Sequence, residues 1–156
     1  MSLEGKKAPA FTLTDQAGNK VRLAELAGQW VVLYCYPKDD TPGCTIEAQD
    51  FTKDLKKFGA LGAAVFGCSP DSVESHQKFI AKYKLPFTLL CDPNRKIMEK
   101  YGAWGEKMMY GKKTVGVIRS TTWVGPDGKV KKHWKRVAKA ADHPDKVLEL
   151  LQEGAG

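Results

Sequence analysis

Between Gly28 and Pro37 the chain runs Trp30-Val-Val-Leu-Tyr-Cys-Tyr36, apolar throughout and bounded by two residues that punctuate structure. Such a run reads as a strand covered on both faces, which places it at the centre of a sheet. Two more apolar runs follow, Ala63 to Cys68 and Phe87 to Cys91, and each of the three leads into a helical pattern. After the first, Phe51, Leu55 and Phe58 recur at helical spacing with charges between them, and the helix is expected to begin around Cys44. After the second, Asp71-Ser-Val-Glu74 has the form of a capping box ahead of Val73, His76, Phe79, Ile80 and Tyr83. After the third, Asp92-Pro-Asn94 turns into a short helix around Ile97, Met98 and Tyr101. Strand and helix alternating in this way predict a parallel sheet.

The two ends of the chain add antiparallel pieces. Phe11-Thr-Leu13 and Val21-Arg-Leu23 flank a turn cluster from Asp15 to Asn19 and predict an N-terminal β-hairpin, peripheral to the sheet. Val115–Val124 and Val130–Trp134 flank Gly125-Pro-Asp-Gly128, a second hairpin. Asp142-His-Pro144 caps a last helix with Val147, Leu148 and Leu151 on one face. The expected class is α/β, a mixed central sheet flanked by helices. Trp104, Met108, Met109 and Tyr110 read as an apolar cluster in a Gly-bounded loop, used for packing.

A chain of 156 residues fits one domain, taken as residues 1–156, and needs no staple to bury a core. Its start lacks a hydrophobic signal core, and its apolar runs fall far short of the roughly 18 residues of a membrane span, so a cytoplasmic protein with no membrane partner is expected. The net charge is +7, with Lys129, Lys131, Lys132, Lys135, Arg136 and Lys139 the densest basic run. That run sits in an alternating strand pattern with no nucleic-acid signature around it. A solvated face, and no nucleic-acid partner, is the reading.

Four cysteines, Cys35, Cys44, Cys68 and Cys91, contain no C-x-x-C pair and no nearby His, so neither a zinc site nor a thioredoxin-type dithiol is indicated. In an open sheet, chemistry gathers beyond the carboxyl ends of the parallel strands, where Cys44, Cys68 and Cys91 all fall. Cys44 stands apart because Pro42-Gly43 precede it and a helix starts at it. Unpaired N–H groups and the positive end of a helix dipole favour a thiolate at such a position.

The segment Pro37-Lys-Asp-Asp-Thr41-Pro-Gly-Cys44-Thr-Ile-Glu47 resembles the peroxiredoxin signature, Pro-x-x-x-Thr-x-x-Cys with an acid three residues later. Tyr36, the Thr-Pro-Gly-Cys-Thr string, Ser69-Pro-Asp-Ser72 and Gly116-Val-Ile-Arg119-Ser-Thr resemble the bacterioferritin-comigratory, or Q-type, branch over nearly the whole chain. The resemblance implies a thioredoxin-like fold, hydroperoxide reduction by Cys44 as peroxidatic residue, and Pro37, Thr41 and Arg119 as its surroundings. It also implies recycling by thioredoxin or another thiol and is compatible with a monomer, the state expected here; no cofactor or metal is expected.

Peroxide reduction is displacement at oxygen, so donors must meet the charge that builds on the leaving alkoxide. Arg119 brings a permanently charged fork, the Thr41 hydroxyl can donate or accept, and Pro37 shields the sulfur. Glu47, one turn after Cys44, is placed to orient Arg119. Read singly, these residues are a cap, a strand terminator, a dipole partner and a surface charge. Together with Cys44 they read as a site.

The sulfenic acid left on Cys44 needs a second thiol, and here the sequence departs from the family. The position five residues on is Gln49, and the alternative position in the next helix is Ile80. Cys68 and Cys91 are then the internal candidates, and direct reduction by an external thiol is preferred. His76, His133 and His143 fall on a helix, a strand and a cap, none of them placed as a catalytic base. A thiol-disulfide oxidoreductase would need a second cysteine close to Cys44. A peroxide-sensing switch or interaction module would share the first chemical step and differ only in turnover.

Overall fold

The computed structural model describes residues 3–154, apart from the Met109 side chain; residues 1, 2, 155 and 156 of the expected domain lie outside the described residues. Strand β3 (Trp30–Cys35) is buried over nearly its whole length, as its apolar run requires. It pairs in parallel with β4 (Ala63–Ser69), which pairs in parallel with β5 (Thr88–Cys91). Helices α1 (Pro42–Ala60), α2 (Val73–Tyr83) and α3 (Lys96–Lys100) follow these strands in turn, so the parallel sheet expected from the alternation is present.

The remaining strands extend that sheet on both sides. On one side β8 (Ser120–Val124) pairs antiparallel with β3, and β9 (Val130–Trp134) with β8. On the other, β1 (Thr12–Asp15) and β2 (Lys20–Arg22) form the N-terminal hairpin. This hairpin is not a peripheral addition. Thr14 and Asp15 pair with Cys91 and Leu90, and Phe11 and Leu13 are buried, so it forms the sheet's outer edge in the order β2-β1-β5-β4-β3-β8-β9.

Alternation along β3 divides the core. Val32, Tyr34 and Tyr36 pack with Phe51 and Phe58 of α1, Phe79 of α2, and Val147, Leu148 and Leu151 of α4 (His143–Gly154). Val31, Leu33 and Cys35 pack on the opposite face with Phe11, Leu13, Met98 and Tyr101. Tyr34 stacks on Phe51 with ring centroids 4.5 Å apart and lies beside Gly67 of β4.

Three further readings of the sequence need correction. The run Val115–Val124 is two strands in two sheets: β7 (Lys112–Val117) pairs with β6 (Trp104–Met109), while β8 joins the main sheet. The stretch read as a loop around Met108 is therefore a hairpin, turned by Tyr110 and Gly111 with φ of 53° and 77°. Its tip is open, with Tyr110 98% exposed. The third correction is a one-residue shift: the cap of α2 is Ser72, whose hydroxyl accepts from Ser75 N–H, and not Asp71. In the basic run, Lys131, Lys132 and Lys139 face Asp127, Glu4 and Asp142. No helix is long and apolar enough to cross a membrane among the described residues.

Gly67 has no side chain because its neighbours occupy that space. A Cβ there would stand 2.7 Å from Leu89 Cδ2 and 3.0 Å from the Tyr34 ring. Gly67→Ala is expected to lower stability by about 1–3 kcal/mol, an overpacking cost, read as a lower urea midpoint at unchanged slope.

Candidate active site

Helix α1 begins at Pro42, two residues earlier than expected, with Thr41 as N-cap and Cys44 in its first turn. Pro42 suits the first position, where its missing N–H costs nothing. The N–H groups of Gly43 and Cys44 have no partner within the helix and gather around the Cys44 position. Thr41 holds the cap position without making a side-chain cap; its hydroxyl donates to Lys38 O at 2.9 Å. Its proton is thus committed and its lone pairs remain to accept. Pro37 is half-buried just beyond β3.

Arg119 reaches this helix start from the break between β7 and β8. Ile118 N–H donates to Ala103 O, and Arg119 O accepts from Val137 N–H, which fixes the residue between the two sheets. Ser120 pairs with Cys35, so Arg119 stands beside the end of β3. Its Nη1 donates to Glu47 Oε1 at 2.6 Å and its Nη2 to Cys44 Sγ at 3.2 Å. Gly43 permits that approach, since a Cβ there would lie 3.1 Å from Nη2. The structure brings Cys44, Glu47 and Arg119 into direct contact and sets Thr41 one turn before the sulfur.

Cys44 is 1% exposed and Glu47 fully buried. Burial pushes the Glu47 carboxyl up to about 7, against the pull of the Arg119 guanidinium. Two groups that carry negative charge when ionised therefore share one cation in a low-dielectric pocket.

The other thiols are placed differently. Cys35 and Cys68 pair across β3 and β4 and belong to the cluster on the face of the sheet opposite Cys44. The Cys68 thiol is held well above its ordinary range by its hydrogen bond with Cys35 and by burial. Cys91 ends β5, two strands from β3, and burial with Asp39, Asp15 and Asp71 nearby raises its thiol to about 11. Ile80 of α2 packs against the core, and Gln49 is exposed on α1.

Sequence reasoning missed Asp39. It is buried in the loop between Pro37 and Thr41 and meets the fully buried His76 of α2, with His76 Nδ1 2.7 Å from Asp39 Oδ2. A buried acid next to a turn of exposed residues leaves no trace in periodicity; only the pairing of two distant positions could have signalled it.

Residues 4–133 match the AhpC/TSA family. Peroxiredoxin Bcp of Bacillus subtilis is 42% identical over 154 residues, 98% of each chain. This chain belongs to the peroxiredoxin family. Peroxiredoxin Bcp of Escherichia coli is 39% identical over 151 residues, covering 97% of this peroxiredoxin and 96% of that protein. The bacterioferritin comigratory protein of Xanthomonas campestris, studied for alkyl peroxide reduction, superposes with a TM-score of 0.88 at 40% identity, covering 94% of this chain and 92% of that one. The fold is accordingly the thioredoxin-like one that the motifs implied.

A carboxyl raised by burial is protonated in the folded protein over a range where it is ionised in the unfolded chain, so folding takes up a proton. Stability contributed by Glu47 is therefore present below pH 4.5 and lost as pH rises from there toward about 7. In Glu47→Gln that loss is absent: urea midpoints at pH 5 and pH 7.5 are expected to differ less than in the wild type. Equal differences would show that Glu47 does not titrate in this window.

Proposed function

We propose that this peroxiredoxin is a thiol-dependent peroxidase that reduces hydrogen peroxide and organic hydroperoxides through Cys44. The observation that carries the reading is the Arg119 guanidinium, which holds Cys44 Sγ with one nitrogen and Glu47 with the other.

In the first step the Cys44 thiolate attacks one peroxide oxygen, an S–O bond forms and the O–O bond breaks. The other oxygen leaves as alkoxide or hydroxide and is protonated to an alcohol or water, and Cys44 is left as sulfenic acid. Arg119 favours the thiolate before attack and meets the charge on the leaving oxygen during it, with the Gly43 and Cys44 N–H groups as further donors. Glu47 fixes the plane of the guanidinium by its short hydrogen bond. The Thr41 oxygen, its hydroxyl donating to Lys38 O, accepts from the peroxide O–H and so orients the substrate. Pro37 limits water at the sulfur.

In the second half-reaction an external thiol attacks the sulfenic sulfur, water leaves, and a second thiol releases Cys44 from the mixed disulfide. Thioredoxin or a comparable thiol fills this role. Cys68 faces away across the sheet, and a thiol near 11, as at Cys91, is ionised about once in ten thousand molecules at pH 7. The enzyme acts as a single domain, as a cytoplasmic monomer, with no cofactor.

Steady-state peroxide consumption with a recycling thiol tests the reading. Cys44→Ser is expected to abolish turnover, and Arg119→Ala to keep the fold while slowing peroxide reduction by about 10²-fold. A single stoichiometric burst with every thiol donor would instead indicate a peroxide-sensing switch.

A further inference from the structure

His76 is fully buried on α2, and both of its ring nitrogens are engaged: Nδ1 with Asp39 Oδ2 at 2.7 Å and Nε2 with Leu90 O at 2.9 Å. The backbone carbonyl can only accept. Asp39 is also used as an acceptor, since Ser75 Oγ donates to its Oδ2 at 2.8 Å and the Tyr36 hydroxyl to its Oδ1 at 2.5 Å. Burial, with Tyr34 and Asp39 nearby, holds the Tyr36 phenol well above its ordinary range, so it keeps the proton it donates. Nε2 therefore donates to Leu90 O, and Nδ1 shares a hydrogen bond with the Asp39 carboxyl. Asp39, Asp71 and His76 could between them face a cation, but these contacts already bind the three to one another and to their neighbours.

The pair lies where the reactive loop is decided. Asp39 sits between Pro37 and Thr41, and its N–H donates to Asp71 Oδ2, which also takes the Ser69 hydroxyl. The next residue, Asp40, has φ of 58° and meets Lys82 and Tyr83 at the far end of α2. The loop is therefore laid along α2 and tied near both ends of the helix. The Asp40 tie is exposed and of little worth, whereas the Asp39 tie is buried and costly to lose. Thr41, the first residue after the tied pair, holds the N-cap position of α1 and starts the turn that presents Cys44.

We propose that His76 is a positioning residue for peroxide reduction: through Asp39 it fixes the Pro37–Thr41 loop, and so the Thr41 oxygen and the α1 N-terminus, around Cys44. The proposal rests on the reading of Cys44 as peroxidatic residue. It gives the two nitrogens of His76 different jobs. Nδ1 holds the loop, while Nε2 anchors the ring to β5.

Two amides separate these jobs. The side-chain nitrogen of His76→Asn takes the place of Nδ1 and keeps the Asp39 contact; that of His76→Gln takes the place of Nε2 and keeps the Leu90 contact. Each loses one buried hydrogen bond, and comparable losses of melting temperature are expected. The second-order rate constant for peroxide is expected to stay within about threefold of wild type in His76→Asn and to fall about tenfold or more in His76→Gln. Asp39→Asn, which leaves His76 in place, is expected to fall with His76→Gln. Rates that follow melting temperature alike in both His76 variants, or a wild-type rate in Asp39→Asn, would overturn the proposal. Cys44→Ser run alongside keeps the two readings apart: turnover there removes the peroxidatic role of Cys44 whatever the His76 variants do.

Discussion

The Arg119 guanidinium lies between a buried thiol and a buried carboxyl, 3.2 Å from one and 2.6 Å from the other, and the rest of the site is arranged to make that contact hold. Neither Cys44 nor Glu47 could carry charge at such depth without a cation beside it. Arg119 arrives there because the chain changes sheets at Ile118, and because β8 pairs with β3 in a register that sets Ser120 beside Cys35. Gly43 leaves the gap the guanidinium needs. A residue 75 positions from Cys44 is thus brought to it by strand order alone.

The same sheet separates the thiols. Cys44 lies on the α1 face, whereas Cys35 and Cys68 lie beneath the sheet in the opposite core. At the two positions where the resemblance would put a second thiol, this chain has an exposed Gln49 and a half-buried Ile80. The site furnishes the first half-reaction well, and in the cycle proposed above the second half-reaction draws on a thiol from outside.

Much of this was legible in the sequence, for physical reasons that can be named. The three parallel strands were visible because strands buried on both faces are apolar throughout, and the helices because each buries one stripe. Cys44, Thr41, Pro37 and Glu47 were legible as a short local motif. Arg119 could be named only through resemblance, since in the residue pattern it interrupts a strand and nothing more. What the pattern hid were features decided by tertiary contact. The break at Ile118 and Arg119 looked like one continuous strand, because alternation does not record which sheet a residue joins. The N-terminal hairpin looked detached, although β1 closes the sheet against β5. The Asp39–His76 pair joins a loop and a helix 37 positions apart; the sequence placed His76 only in a helical pattern and Asp39 only in the signature segment.

The central claim is that Cys44 is the sulfur that meets peroxide and that no other thiol of the chain closes on it. Intact and peptide mass after one equivalent of hydroperoxide, with no reductant present, tests this directly. One added oxygen confined to the Cys44 peptide is the predicted result. Loss of two hydrogens through a disulfide with Cys68 or Cys91, or an oxygen on any cysteine other than Cys44, would contradict it.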